Sequence, residues 1–465
     1  MSKTFRPYPL NQRLLLPPDL REWLPEGHLA LFVSDVVDAL DLSAILQVYE
    51  QGDGRGQPPY DPALMVKLLV YAYCTGLPSS RKIERATYED VAYRVLAADQ
   101  HPDHASIAEF RKRHLAALAE LFVQVLRLCQ AAGLVKLGHV ALDGTKVKAN
   151  ASKHKAMSYG RMEGAEQKLE QEVKSLLEQA QAVDAAEDTR YGKGQRGDEL
   201  PAELARRESR LRKIREAKAA LEQEAQAQAQ QAAAAAQTKI AARQRSEAET
   251  GQKAKGRTPT VPDPAQARPE AKAQRNFTDP DSRIMKDGAT KAFEQAYNAQ
   301  VAVDREAQII VAAAVTQEAN DKQQLVPMLL AVQDNLGQLP ERASADTGFF
   351  SEANLTAKAL EGVALYVPPD QQRHPTPVEG VNGSAAAEGT VREQMRHKLQ
   401  TPEGQAVYKL RKAIVEPVFG QIKEVRGFRR FSFRGLAQVA AEWALVCLTH
   451  NLLKLFRARG CPVAA

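Results

Sequence analysis

The spacing of apolar side chains predicts that residues 1–137 form an all-helical region. Apolar groups recur at helical spacing after Asp61, and an aspartate followed by Pro62 is typical of a helix start. Similar patterns predict helices over residues 79–86, 88–96 and 106–129. Two interpretations stay open here: a helix-turn-helix-like DNA-binding module, or a helical bundle whose basic residues are simply solvated. Both concern the same set of cations, which are Arg81, Lys82, Arg85, Arg111, Lys112 and Arg113.

From His139 onward the hydrophobic period changes and strands are expected. The segment HVALDGTKV reads as a short strand, although its Asp143-Gly144 pair would also suit a hairpin turn. A second strand signal is a pair near 293–303 and 308–316, joined by a turn at 304–306. The remaining pattern predicts a helix over 321–335, a strand over 342–346, a helix over 351–360, a strand over 363–367, a polar loop over 371–389 and a mostly helical end over 402–456, broken at 427–435. This order predicts an α/β protein with a mixed sheet flanked by helices.

The sheet pattern is interrupted by a long helical segment after its first strand. Leu169, Val173, Leu176, Ala180 and Val183 follow the alternating spacing of a coiled-coil seam. A second seam follows a glycine-rich break at 191–197 and consists of Leu204, Leu211, Ile214 and Leu221. Two such helices predict an antiparallel coiled-coil hairpin, followed by a flexible linker near 252–274.

These patterns divide the chain into three expected domains. The first is a helical, DNA-binding domain over residues 1–137. The second is a catalytic α/β domain made of residues 138–162 and 276–457, and the third is the inserted hairpin with its linker over 163–275.

Composition and charge are those of an ordinary soluble protein. The 465 residues carry 63 Lys and Arg against 57 Asp and Glu, so the location of the basic residues matters more than the net charge of +6. We expect no signal peptide and no membrane span, because the apolar runs are too short. Four cysteines without close pairing are typical of a reduced, cytoplasmic protein.

Three acidic residues suit a divalent-metal site for phosphoryl transfer. Asp143 and Asp346 each end a short apolar strand signal, and Glu416 lies on a basic helix. Each could singly be a turn, cap or ion-pair residue. Brought together, their carboxylates would repel one another until a cation compensates the charge. Oxygen ligands suit Mg²⁺ or Mn²⁺, and two such ions could clamp the attacking and leaving oxygens.

Basic residues around Glu416 far exceed what one glutamate can neutralise. A phosphate backbone is the expected counter-charge, although ion pairing on a solvated helix is the simpler alternative. The candidate DNA-contact residues are Tyr408, Arg411, Lys412, Lys423, Arg426, Arg429 and Arg430. Lys412, Glu416 and Lys423 are expected to share one helix face. The interleaved Phe428, Phe431 and Phe433 could stack on bases, but packing is favoured.

Together these motifs resemble the DDE transposases of bacterial insertion sequences. Asp143 in its strand-Asp-Gly context matches the family's first catalytic acid, and Asp346 in Ala-Asp-x-Gly-Phe matches the second. Glu416 matches the third within a Tyr-x-x-Arg…Glu…Lys signature, here Tyr408, Arg411, Glu416 and Lys423. Four residues separate Arg411 from Glu416 where the better-known signature has three, so Lys412 could take the place of Arg411. The stretch PDHASIAEFRKRH is similar to the family's N-terminal domain.

This resemblance implies an RNase H-like core, Mg²⁺-dependent cleavage of double-stranded DNA at transposon ends, and strand transfer into target DNA. We expect a homodimer in the active complex, acting on nucleoid DNA in the cytoplasm. The hairpin could mediate dimerisation, extend along DNA, or pack only on itself. Two alternatives stay open, a non-catalytic DNA-binding scaffold and a nuclease of the same fold that does not join strands.

Overall fold

The computed structural model describes residues 19–50, 58–191, 200–251, 256–288, 290–370 and 389–459. The predicted glycine-rich break at 191–197 and the predicted loop at 371–389 lie almost entirely outside these residues. The first part of the chain is helical, as predicted, with helices α1 Leu29–Ala39, α2 Ser43–Glu50, α3 Pro62–Thr75, α4 Ser80–Glu89, α5 Val91–Leu96, α6 His104–Arg113 and α7 Leu115–Ala131.

The predicted start of α3 is confirmed. Asp61 accepts hydrogen bonds from the backbone amides of Ala63 and Leu64, with Pro62 at the first helical position. The single helix predicted over 106–129 is wrong, because the chain bends by 70° between α6 and α7, at His114. Arg111 is also not a surface cation, since its side chain is buried and donates to the carbonyl of Pro78.

The middle and end of the chain form one mixed sheet with helices around it. Its strands are β1 Val140–Lys148, β4 Arg283–Lys286, β5 Phe293–Asp304, β6 Ile310–Thr316, β7 Arg342–Ser344 and β8 Ala364–Tyr366, while β2 Ala156–Ser158 and β3 Gln274–Asn276 pair separately. The helices are α8 Tyr159–Tyr191, α9 Leu200–Thr250, α10 Leu325–Leu336, α11 Glu352–Leu355, α12 Val391–Gln400, α13 Pro402–Gly420 and α14 Leu436–Ala458.

The strand order β4-β5-β1-β7-β8 places β1 at the centre of the sheet. β5 pairs antiparallel with β1 and, as predicted, with β6. On the other side of β1, β7 pairs parallel with β1, and β8 pairs parallel with β7. β5 is buried along nearly its whole length, as expected for a strand covered on both faces. This arrangement confirms the predicted mixed α/β class.

Helix α14 joins the N-terminal helices to the sheet in one continuous hydrophobic core. It packs against α7, α3 and β6, and the Trp443 indole donates to the Gln300 carbonyl at 3.0 Å. Glu442 is fully buried and accepts hydrogen bonds from the Tyr73 hydroxyl and the Ser432 amide. By length and composition α14 could cross a membrane, but most of its apolar stretch is buried inside the fold. The N-terminal helices and the sheet thus share one hydrophobic core. The domain boundary at residue 137 stays a prediction.

Helices α8 and α9 pack antiparallel and have a small core of their own. Leu169 of α8 is buried with Leu211, Ile214 and Leu221 of α9, which are all predicted seam residues. The other described seam residues of α8, Val173 and Leu176, are only half-buried. Ion pairs run in opposite order along the two helices, from Glu172–Arg207 to Glu166–Lys218. The side chains of Ala180, Val183 and Leu204 lie outside the described part, and supercoiling of the pair stays a prediction.

Two glycines with left-handed backbones give a matched test of the close contact between the end of α3 and the backbone of Arg426. Gly76 (φ +77°) ends α3, and a Cβ there would lie 2.6 Å from the carbonyl oxygen of Arg426. Gly337 (φ +78°) ends α10, and a Cβ there would meet no atom within 4 Å. We expect Gly337→Ala to cost about 1–2 kcal/mol from the backbone alone, and Gly76→Ala about 1–3 kcal/mol more, because a backbone must also move. Thermal unfolding midpoints of both variants measure the difference, and equal shifts would contradict the close contact.

Candidate active site

Asp143 lies within β1, not at its end. Its position is paired with Val301 of β5, and the strand continues to Lys148. The hairpin-turn interpretation of Asp143-Gly144 is therefore wrong. On its other side β1 pairs with β7 through Val140 and Ala141, and β7 ends at Ser344. On the side opposite β5, β1 therefore continues past the end of β7, and Asp143 lies on this part of the strand.

Asp346 follows β7 directly, so it reaches the same edge of the sheet as Asp143. Because β1 and β7 are parallel, the two acids lie two residues beyond the paired residues Ala141 and Ser344. The Asp346 carboxylate accepts a hydrogen bond from the Gly348 amide at 2.9 Å, which caps a short 3-10 turn. The fold therefore brings together two of the three predicted acids.

Burial makes both carboxylates unusually basic. Desolvation raises the pKa of Asp143 to about 6 despite the attraction of Arg411, and repulsion from Asp346 adds to the rise. Burial likewise raises the pKa of Asp346 above its usual range, against Arg411 and with repulsion from Asp321. Two such carboxylates form a site that favours a bound cation or proton.

Arg411 supplies the nearest positive charge. Its Nη1 donates to Oδ2 of Asp143 at 3.1 Å, and the two side chains are only 9% and 19% exposed. Burial lowers the pKa of Arg411, but the attraction of Asp143, Tyr408 and Asp346 raises it overall. The Tyr408 ring lies 5.9 Å from the guanidinium carbon, and burial raises the pKa of its hydroxyl. Within the Tyr-x-x-Arg part of the signature, Arg411 thus contacts Asp143 directly and Tyr408 lies beside Arg411.

Two lysines border this edge. Burial lowers the pKa of Lys146, although Asp321, Asp346 and Asp143 all attract its ammonium. Lys423 donates to the Thr145 hydroxyl and, at 2.9 Å, to the Lys146 carbonyl, and burial lowers its pKa as well. Lys423 therefore contacts β1 two to three residues beyond Asp143.

Sequence reasoning missed Asp321, which also belongs to this cluster. Its Oδ1 accepts hydrogen bonds from the side-chain amides of Asn298, at 2.6 Å, and Gln300. A Cβ on Gly348 would lie 3.5 Å from its Oδ2 and 3.0 Å from Oδ1 of Asp346. The sequence pattern predicts a helix that starts at Asp321, but the helix begins at Leu325. No local pattern marks it, because its partners lie on β5.

The packing around Asp321 explains the glycine after Asp143. A Cβ at Gly144 would lie 2.6 Å from Oδ1 of Asp321 and 2.9 Å from Oδ1 of Asn298. Both amide side chains are fully buried, and Oδ1 of Asn298 and Oε1 of Gln300 have no hydrogen-bond partner among the described residues. Unpaired buried oxygens beside a carboxylate are costly unless a cation or donor completes them.

Glu416 is placed differently from the two aspartates. It lies on the exposed side of α13, five residues after Arg411, which is about 140° around a helix. Within the part of the chain that the structure describes, its carboxylate makes no hydrogen bond or ion pair. Lys412 is exposed on the same side. A π-helical turn over Gln421–Val425 changes the register before Lys423, so the shared face expected for these three residues does not extend to Lys423.

The remaining predicted DNA contacts divide by exposure. Arg426 is buried, and its Nη1 donates to the Thr449 hydroxyl at 2.7 Å and the Val446 carbonyl at 3.2 Å. A guanidinium buried in this position does not reach a phosphate, so its expected DNA contact is corrected. Arg429 is exposed and paired with Glu424, and Arg430 is exposed.

Two of the three phenylalanines between these arginines pack in the core, as favoured, and the third, Phe433, is half-buried. Phe428 and Phe431 are buried, with ring centroids 5.6 Å apart, and both approach Trp443. Phe433 lies under the Arg111 guanidinium at 5.3 Å. Their role is structural.

Comparison with known families decides the class of this protein. A family described as a transposase domain (DUF772) matches residues 18–113, and one described as a transposase DDE domain matches residues 381–456. Both matches support an insertion-sequence DDE transposase. The second match contains Tyr408, Arg411, Glu416 and Lys423, whereas both aspartates lie outside the matched residues. No curated protein and no solved structure matches the chain.

As a transposase the chain is a nucleic-acid-processing enzyme, and its family implies DNA binding and generally uses divalent metal ions. The described residues contain no group of three His, Cys, Asp or Glu side chains arranged to hold a metal ion. The pair Asp143 and Asp346 nevertheless fits a cation, because burial destabilises both charges and Asn298 and Gln300 leave buried oxygens unpaired nearby. In this structure, Arg411 provides part of the positive charge that compensates the two carboxylates.

The raised pKa of Asp143 predicts a pH-dependent stability in this transposase. In chelator-treated protein the folded state keeps a proton up to about pH 6 that the unfolded state releases near its ordinary pKa. Stability due to this group is therefore full at low pH and is lost as pH rises through 6. Relative to wild type, Asp143→Asn should gain about 2–3 kcal/mol between pH 4 and 7.

Denaturant unfolding at several pH values measures this gain. Asp334→Asn is the matched control, because it removes an exposed acid on α10 without touching the cluster. Parallel pH profiles for wild type and Asp143→Asn would contradict the raised pKa.

Proposed function

We propose that this transposase cleaves DNA at the ends of its element and transfers the freed 3′ ends into target DNA. The observation that carries the proposal is the convergence of Asp143 and Asp346 at one edge of the sheet, with Arg411 of the matched DDE stretch donating to Asp143. The strand order around β1 is also consistent with an RNase H-like core, which we propose as the fold of residues 138–162 and 276–457.

Asp143 and Asp346 are the residues that would hold Mg²⁺ or Mn²⁺, with Glu416 proposed as the third acid. Two bound ions would stabilise the charge that develops on the attacking and leaving oxygens of an in-line displacement. For Glu416 to join them, α13 has to rotate or shift, because its carboxylate lies on the exposed side of the helix. Movement of α13 would also withdraw Arg411 from Asp143.

The cations of this edge are suited to the phosphates of the substrate. Arg411 and Tyr408 lie beside the acids, and Lys423 is held on β1 next to Thr145, so each can orient a phosphate near the reacting bond. Lys412, Arg429 and Arg430 are exposed and would contact the backbone further away. We further propose that the active complex is a homodimer on double-stranded DNA and acts in the cytoplasm.

Loss of either aspartate should abolish cutting while leaving DNA binding intact. We expect Asp143→Asn and Asp346→Asn each to slow cleavage more than about a hundredfold, since even outer partners of metal ligands matter by 10–100-fold. Cleavage of end-containing DNA in Mg²⁺ or Mn²⁺ would be measured beside a binding assay. Undiminished cutting by either variant would sink the proposed site, and absence of cutting by wild type would favour a scaffold.

A second substrate separates a transposase reaction from simple hydrolysis. DNA ends that already carry a free 3′-hydroxyl should become joined to target DNA by wild type. Cutting without joining would identify a nuclease of the same fold.

Asp321 and Glu416 compete for the place of third acid, and paired substitutions distinguish them. If Glu416 moves in, Glu416→Gln should lose more than about a hundredfold in cleavage, whereas Asp321→Asn should lose about 10–100-fold as a positioning residue. Glu403→Gln is the matched control, because it removes another exposed glutamate of α13. Normal cutting by Glu416→Gln together with inactivity of Asp321→Asn would assign the third position to Asp321.

A further inference from the structure

A basic cleft lies at the base of the α8–α9 pair, away from the acids. It is enclosed by the segment before β2, the start of α8, the first third of α9 and the residues after β3. Its polar wall carries His154, Lys155, Arg161, Arg210 and Lys213. The lining, as the structure describes it, contains no aspartate or glutamate. With about 650 Å³ of space, the cleft is much larger than a single bound ion needs.

The cations on the other side of the helix pair are neutralised, and those of the cleft are not. Arg215 and Lys218 pair with Glu166, Arg207 pairs with Glu172, and Glu224 receives Arg275 and Arg283. These pairs tie α8 to α9 and to the small sheet. The cleft's cations have no such structural use.

Within the described residues, Arg161, Arg210 and Lys213 form no ion pair, and all three side chains are exposed. Arg210 and Lys213 are three residues apart on α9 and so share one face, opposite Arg161 of α8. Like charges gathered from separate segments repel one another in the free protein. A ligand with closely spaced negative charges removes that repulsion.

The cleft is continuous with the candidate active site along the chain. Beyond Asp143, β1 continues to Lys148. Lys153 follows, and then His154 and Lys155, which line the cleft. At about 3.3 Å per residue, the end of β1 alone lies roughly 16 Å from Asp143, which equals about five base pairs of duplex. The first cations of the cleft are therefore joined to the strand of Asp143 by a short connection.

We propose that this cleft binds the phosphate backbone of double-stranded DNA several base pairs away from the cleavage position. The proposal rests on the proposed function for its choice of polyanion, and it gives the inserted helix pair a role in holding the substrate. The contacts would be independent of base sequence, because they involve lysine and arginine side chains and no recognition element in a groove.

The test compares two double variants with the same loss of charge. Arg210→Gln/Lys213→Gln removes two cations of the cleft. Lys174→Gln/Arg212→Gln removes two exposed cations of the same helix pair that do not line it. Binding to a duplex of arbitrary sequence is measured with the full chain, in chelator, over a series of salt concentrations. Circular dichroism and thermal midpoints check that both variants are folded.

Log K, where K is the association constant for DNA, falls as log salt rises. We expect the cleft variant to make this slope shallower by about 1–2 and to weaken binding about tenfold to a hundredfold at 0.1 M salt. The control should leave both nearly unchanged. Should the double variant be unstable, Arg161→Gln must lower the slope by about 1. Equal behaviour of cleft and control variants overturns the proposal, and so does a changed oligomeric mass with an unchanged slope.

Cleavage by wild type keeps the two proposals apart. If wild type binds DNA with a cleft-dependent slope but does not cut, the proposed function fails and the cleft stands. If wild type cuts and the cleft variant binds like the control, only the cleft fails.

Discussion

The contact between Arg411 and Asp143 is the interaction on which the arrangement of the acidic edge of the sheet depends. A carboxylate that is four-fifths buried beside a second carboxylate would normally take up a proton. The guanidinium offsets part of that cost and also ties α13 to the centre of the sheet. The position of α13 then determines where Tyr408, Lys423 and Glu416 can lie. One ion pair thus links the electrostatics of the acids to the geometry of the signature helix.

The groups around this contact are compatible with a site in which a divalent ion replaces the arginine as the positive charge beside the acids. Asp321 is held by two buried amides, Gly144 leaves room for them, and two amide oxygens stay unpaired among the described residues. Arg411 is a large, fixed charge with directed donors, whereas a divalent ion accepts several oxygens at once.

The sequence predicted the parts of the fold that depend on local pattern. The β5–β6 pair follows from two apolar runs around a turn, and the α3 start follows from Asp61 and Pro62. What it could not predict depends on contacts between distant residues. Arg426 is buried because α14 covers it, Asp321 joins the site through β5, and a π-helical turn alters the phase between Glu416 and Lys423. The convergence of Asp143 and Asp346 was expected from the resemblance, but the Arg411 contact was not.

The packing of α14 has a consequence for synthesis. Helix α14 fills the space between α7 and the sheet, so the N-terminal helices complete their shared core only after this helix has been synthesised. Asp143 likewise waits for β5, β7 and α13 before its surroundings exist. A chain stopped early would carry acids and basic residues but neither a closed core nor an assembled site. Such fragments would expose apolar surface to cellular proteases.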